Sequence, residues 1–347
     1  MNKKTGLLAA MIFIPALCLP LRAETALEQF NSLGLETGSV APQPSVEKVW
    51  EPISPEAALN KLALFNYQKT DVISVKRSVP VVHKQYSIEK IQLLINDPLR
   101  QLGEFTQTYM LYRTMQPGPR PTVLVFPPFI PQVIDDWSAT RFAKKGYNAV
   151  IVVPCESLTD KTRPLDKVDD LLIRNVITGR MCIDLLETLP EVDKDKIYAY
   201  GISMGGIRTT LSFGVEPRIK KAAEIVGGGD IPGIIADTRF DLLEGLRDAR
   251  MEIEGIANVA DFRAYMEKVM TIDPLDFAVL RQPEDIFLVL GHGDRFVPDA
   301  YQKKLYEVFS RPEEGRYPAV IRASTGHIVT ALKFKRYIDR FIEFFER

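Results

Sequence analysis

Net charge is nearly absent from this chain of 347 residues: 44 Lys and Arg stand against 45 Asp and Glu, for a formal charge of -1. No block of like charge stands out either, so there is no long-range field to gather nucleic acid or acidic lipid. Internal repeats and low-complexity segments are missing, which excludes solenoid and fibrous arrays. Histidine is scarce, with only His83, His292 and His327, and cysteine equally so, with Cys18, Cys155 and Cys182. Any chemistry that needs an imidazole base has three positions to choose from. What is present is ordinary: 46% hydrophobic and 26% charged residues, the balance of a globular chain long enough for one large α/β domain with an insertion.

The single long apolar run lies at the start. Lys3 and Lys4 precede residues 7–21, and Leu21-Arg22-Ala23 offers a small residue at a cleavage point. Pro15 and Pro20 interrupt the run, and it is short for a membrane span. We read residues 1–23 as a cleaved secretory signal, with an uncleaved anchor as the alternative. The mature protein is then expected in the periplasm or the medium, without a stable membrane span. Leu17 stands where a lipoprotein signal needs a small residue before Cys18, which argues against lipidation. Cys155 follows a predicted strand while Cys182 lies well along the next helix, a separation ill suited to a disulfide, and we expect two buried thiols.

Residues 24–85 read as an N-terminal extension. Its first part is rich in Pro, Gly and Ser, residues 55–65 carry apolar side chains at helical spacing behind a first-turn proline, and a β-like run follows at 71–75. Further β-like runs at 87–95 and 105–112 suggest antiparallel strands ahead of the main sheet. From there the pattern alternates. Continuous apolar runs at 123–126, 149–153, 197–200, 222–226, 286–290 and 319–321 are separated by helical candidates at 135–145, 168–189, 205–213, 299–309 and 328–345. Such runs imply a mostly parallel sheet covered by helices on both faces. The core is read in two parts, 86–229 and 282–347. Residues 230–281 contain helix-like text and no strand, too long for a connection and too apolar for a linker, and are read as a helical cap. Phe240, Leu243, Phe262 and Met266 on its apolar face would either line a pocket or hold the cap together.

Within this alternation the stretch Gly201-Ile-Ser203-Met-Gly205 joins a strand to a helix. A serine on so sharp a turn is held at strained backbone angles with its hydroxyl projecting from the sheet, and the turn closes only if its flanks lack side chains. The bland alternative is a glycine-rich turn with no chemistry. A serine hydroxyl becomes a nucleophile when a base takes its proton and a carboxylate orients the base. His327 follows the last strand in Ser324-Thr-Gly-His and is the favoured base; His292 follows a strand directly and is read as a loop residue near the site. Asp294, in Gly-Asp-Arg-Phe-Val-Pro298, leads for the acid, with Asp230 after Gly227-Gly-Gly229 as its rival. The developing oxyanion needs two N–H donors. Met204 supplies one. The loop after 123–126 begins Pro127-Pro128, neither with an amide hydrogen, which leaves Phe129, or Ile130 as second choice.

Residues 182–206, a helix, a Pro-Glu-Val-Asp193 corner, a strand and the serine turn, together with Gly291 to Pro298 and Gly326-His327, resemble the α/β-hydrolase superfamily from about residue 87 onward. Within it they are most similar to the dienelactone hydrolase-like and acetyl-esterase-like branch. Two departures matter. Dienelactone hydrolases proper carry cysteine where this chain has Ser203, and the usual His-Gly of the oxyanion loop is replaced by Pro127-Pro128. The resemblance implies the α/β-hydrolase fold with a helical cap and a serine hydrolase acting on a small-molecule carboxylic ester through Ser203, Asp294 and His327, with no metal or cofactor. A peptidase or amidase of the same fold, or a binding protein that kept the fold without the activity, are the competing readings.

Overall fold

The computed structural model describes residues 53–129, 133–156 and 160–347. The expected signal, Cys18 and the lead-in to residue 52 lie outside them. Period-two alternation builds the first half of the sheet. β1 (Val72–Arg77) and the two-residue β2 (Val81–Val82) pair antiparallel with β3 (Tyr86–Asn96), which in turn pairs along its whole length with β4 (Glu104–Thr114). Along β3, buried positions alternate with more exposed ones, as a strand with one covered face requires. β2 carries no signal that the sequence reading found.

The continuous apolar runs form the parallel half: β5 (Arg120–Phe126), β6 (Asn148–Val152), β7 (Val192–Ile202), β8 (Ile219–Ile225), β9 (Ile286–Leu290) and β10 (Ala319–Arg322). Among the described residues ten strands form one sheet in the order β1-β3-β4-β6-β5-β7-β8-β9-β10, with β2 on β3. Neighbouring side chains of β5 serve opposite cores: Leu124 and Phe126 face one, Val123 and Val125 the other. The first core is covered by α3 (Val168–Leu186), α4 (Met204–Val215) and α9 (Asp299–Phe309). The second is covered by α2 (Val133–Lys144) and α11 (Phe334–Phe345). α1 (Pro55–Lys61), N-capped by Ser54, leads through a short turn to Phe65, which is sealed into the first core.

After β5 the chain adds β6 on one side, then crosses to place β7 on the other. The loops after β5 and β7 therefore part at a strand-order reversal, the crevice at which open α/β sheets bind ligands. Between β8 and β9 lie only helices: α5 (Ile231–Asp237), α6 (Asp241–Glu254), α7 (Val259–Val269) and α8 (Pro274–Ala278). Phe262 and Met266 close a small core of this insert with Ala236 and with Leu165 from the loop after β6. Phe240 and Leu243 are half-buried instead. α8 belongs to the main core: the Phe277 ring meets Phe65 edge-on, and a Cβ on Gly214 would lie 2.4 Å from the Cβ of Phe277. The last helical run, expected as one piece, is two, α10 (His327–Leu332) and α11, because Lys333 leaves helical geometry and turns Phe334 onto the ring of Trp137.

Candidate active site

Ser203 sits between the end of β7 and the first residue of α4 at φ 58°, ψ -123°. A non-glycine residue reaches such angles only where its surroundings over-determine them, and here they do. Its N–H donates to the Ile225 carbonyl of β8 at 2.8 Å, and its own carbonyl accepts from Ile207 N–H at 3.1 Å in the first turn of α4. The flanking glycines are sterically required: a Cβ on Gly201 would stand 2.1 Å from the Gly205 carbonyl oxygen, and one on Gly205 2.0 Å from that of Phe126. Ser203 itself is half-buried.

Asp294 and His327 come from two later loops at the same edge of the sheet. Asp294 follows β9, with its side chain wholly buried. Its Oδ1 accepts the N–H groups of Phe296 and Val297 at 2.8 and 3.0 Å, closing the turn. Its Oδ2 accepts from Gln302 Nε2 at 2.8 Å and faces His327 Nδ1 at 2.7 Å. Gln302 is itself buried in α9, where it also donates to the Val297 carbonyl and accepts from Gly291 N–H. The two loops are tied by His292 N–H donating to the Thr325 carbonyl. The face of the His327 imidazole is covered by the Phe296 ring, with centroids 4.4 Å apart and planes 10° from parallel.

The other candidates fall elsewhere. His292 is exposed and pairs with Asp299 at 3.1 Å, and His83 is stacked on Tyr86 at the exposed side of β3. Asp230 caps α5 from a left-handed conformation, and its Oδ2 accepts from Lys304 at 2.8 Å and from Arg263 at 3.2 Å. It is committed to holding the insert to α9, while Asp294 faces the imidazole. Met204 opens α4 directly behind Ser203, and Phe129 is half-buried in the loop after β5. Ile130 lies outside the described residues. Cys155 and Cys182 are unpaired, Cys182 buried as expected and Cys155 only half-buried; desolvation pushes the Cys155 thiol up to about 11 and the Cys182 thiol well above its usual range.

Two residues that the sequence reading passed over shape this edge. Arg208, one turn into α4, is buried and donates to the Pro127 carbonyl at 3.2 Å, so the loop after β5 is pinned from behind. Burial pushes its guanidinium down to about 10. Glu224 of β8 lies beneath the serine turn, where a Cβ on Gly206 would come within 3.2 Å of its Oε2 and one on Gly227 within 2.4 Å. Burial pushes its carboxyl up to about 7.

Among proteins of known structure the chain is similar to an acetyl xylan esterase from Paenibacillus sp. R4, with a TM-score of 0.62 at 13% identity over 84% of this chain and 94% of the other. Acetyl xylan esterase 1 from Thermoanaerobacterium sp. JW/SL YS485 gives 0.57 at 13% identity over 83% and 95%. The chain has the α/β-hydrolase fold. No protein-family model and no curated protein matches the sequence. A glucuronoyl esterase from Solibacter usitatus shares the fold at a TM-score of 0.50 and 12% identity over 83% of this chain and 92% of that one. Identities this low speak for the fold and leave the chemistry to the site. Among the described residues no helix is long and apolar enough to cross a membrane.

Proposed function

We propose that the protein is an exported serine hydrolase that cleaves small carboxylic esters through an acyl-Ser203 intermediate. The observation that carries this reading is the 2.7 Å contact between His327 Nδ1 and the buried Asp294 carboxylate, at the sheet edge where Ser203 stands on its strained turn. A carboxylate on Nδ1 leaves Nε2 as the proton acceptor and stabilises the imidazolium that results.

Ser203 Oγ adds to the ester carbonyl carbon as its proton passes to His327 Nε2, and the carbonyl π pair becomes the oxyanion. The N–H groups of Met204 and Phe129 receive that charge. Collapse of the tetrahedral adduct breaks the bond to the alcohol, which leaves with the proton from Nε2. Water then repeats the sequence on the acyl-serine, giving the acid and free Ser203. The similar esterases of known structure agree with an ester over a peptide bond. Export rests on residues 1–23.

The test is labelling with a fluorophosphonate, followed by peptide mapping. Stoichiometric adduct on Ser203, lost in Ser203→Ala, is the expected result; a folded protein that takes up no label sinks the proposal.

A further inference from the structure

The insert reaches the histidine through a stack of three rings. Phe240, which opens α6, lies against Phe296 with centroids 3.8 Å apart and planes 22° from parallel, and Phe296 lies against His327 at 4.4 Å. The backbone reinforces the stack. The Arg295 carbonyl, one residue before Phe296, accepts Arg239 N–H at 2.8 Å and Thr238 Oγ1 at 3.2 Å. Phe240 is fixed in turn by its carbonyl, which accepts the N–H groups of Leu243 and Glu244 in the first turn of α6. Phe296 thus touches both partners of the acid and base pair: its N–H bonds Asp294 Oδ1 at 2.8 Å and its ring covers the imidazole.

We infer that Phe296 and Phe240 are positioning residues for His327, so that the insert between β8 and β9 helps to set the base. The inference rests on the hydrolase reading given above. An imidazole turns about its Cβ–Cγ bond unless something flat lies against it, and such a turn would carry Nδ1 away from Asp294. A parallel ring at van der Waals distance blocks that rotation, and Phe240 behind it keeps the blocking ring from swinging out. The same face attracts the imidazolium present after proton transfer. Phe240 acts only through Phe296, so its effect should be the smaller of the two.

The test uses the full chain and the variants Phe296→Leu, Phe296→Tyr and Phe240→Leu, each checked by thermal melting. The first readout is the low-field proton signal of His327 Nδ1–H, assigned by its loss in His327→Gln; it depends on the Asp294 contact and needs no turnover. The second is kcat and KM on 4-nitrophenyl acetate. Expected are a sharp signal in the wild type, broadening by solvent exchange in both leucine variants, and recovery in Phe296→Tyr. The Phe296→Leu kcat should fall about 10- to 100-fold, the scale of a misplaced catalytic group, with KM nearly unchanged and a lesser fall in Phe240→Leu. A wild type without the signal, leucine variants with the signal as sharp as in the wild type, or a Tyr variant no better than Leu overturns the inference. If the wild type hydrolyses nothing and takes no fluorophosphonate but the signal behaves as described, the hydrolase reading falls and the positioning role stands. If hydrolysis holds and the signal ignores the leucine variants, the reverse is true.

Discussion

Two buried carboxyl groups lie close to the serine turn, and they are treated in opposite ways. Four donors converge on Asp294: the N–H groups of Phe296 and Val297, the Gln302 amide and the His327 ring. Glu224, fully buried in the next strand, accepts the Thr210 hydroxyl at 2.9 Å on Oε2, and its Oε1 has no partner among the described residues. Burial drives the Glu224 carboxyl toward its neutral form. The loop that faces the imidazole surrounds its carboxyl with donors, whereas the strand beneath the turn, whose carboxyl fills the space beside Gly206 and Gly227, is given the Thr210 hydroxyl.

Replacing the partnered carboxyl should have the largest effect. Asp294→Asn is expected to lower kcat by about 10⁴-fold, the loss seen when the orienting carboxylate of a triad is neutralised, and also to lower the melting temperature, since its amide nitrogen would face the Gln302 and His327 groups that now meet an acceptor. Asp230→Asn, which weakens the bonds to Lys304 and Arg263, should lower the melting temperature and leave kcat within about tenfold, since mutational effects at separate sites stay separate. Steady-state kinetics on both proteins decides, and a reversed outcome would make Asp230 the acid.

The unpartnered carboxyl should show itself in stability against pH. The Glu224 carboxyl is pushed up from 4.5 to about 7 in the folded protein, so its contribution is fully present below about pH 4.5 and lost as pH rises through about 7. Glu224→Gln removes that loss. Urea unfolding at pH 8 should find the variant more stable by up to about 3 kcal/mol, the equivalent of the shift, with the gap shrinking toward pH 4.5. Asp273, also pushed up to about 7 by burial, keeps the same sign in the variant, so the profile flattens only in part. A variant that is less stable at pH 8 would contradict this account.

The smallest effect probes the donors themselves. Gln302→Leu takes one donor from Asp294 and leaves the Gly291 N–H and Val297 carbonyl without their partner. The expected cost is about 2 kcal/mol in denaturant unfolding, the usual penalty for stranding buried polar groups, accompanied by a fall in kcat. Unchanged unfolding and unchanged kcat together would show that Asp294 does not depend on α9.

Much of this molecule was legible because its determinants are local. Continuous apolar runs announced β5 to β10, and the glycines at 201 and 205 announced a tight turn, because both patterns are written within a few residues of backbone, even though the carbonyl that excludes a side chain at Gly205 is that of the distant Phe126. His327 and Asp294 could be nominated because each follows a core strand, and parallel strands deliver such loops to one edge. The short β2, the break at Lys333, the amide of Gln302, the pinning of the Pro127 loop by Arg208 and the ring stack from Phe240 to His327 left no mark in the sequence. The Arg208 pin and the ring stack join residues far apart in the chain, β2 and Gln302 pair with near neighbours, and in both cases an ordinary Val, Gln, Arg or Phe carries no sign of its future partner. The choice between Asp294 and Asp230 is of the same kind: both follow glycines at strand ends, and only folding turns one toward the imidazole and the other toward Lys304 and Arg263. Sequence by itself determined where the backbone must turn and which segments must be buried; tertiary structure decided which side chains meet, because that depends on how whole strands and helices stack.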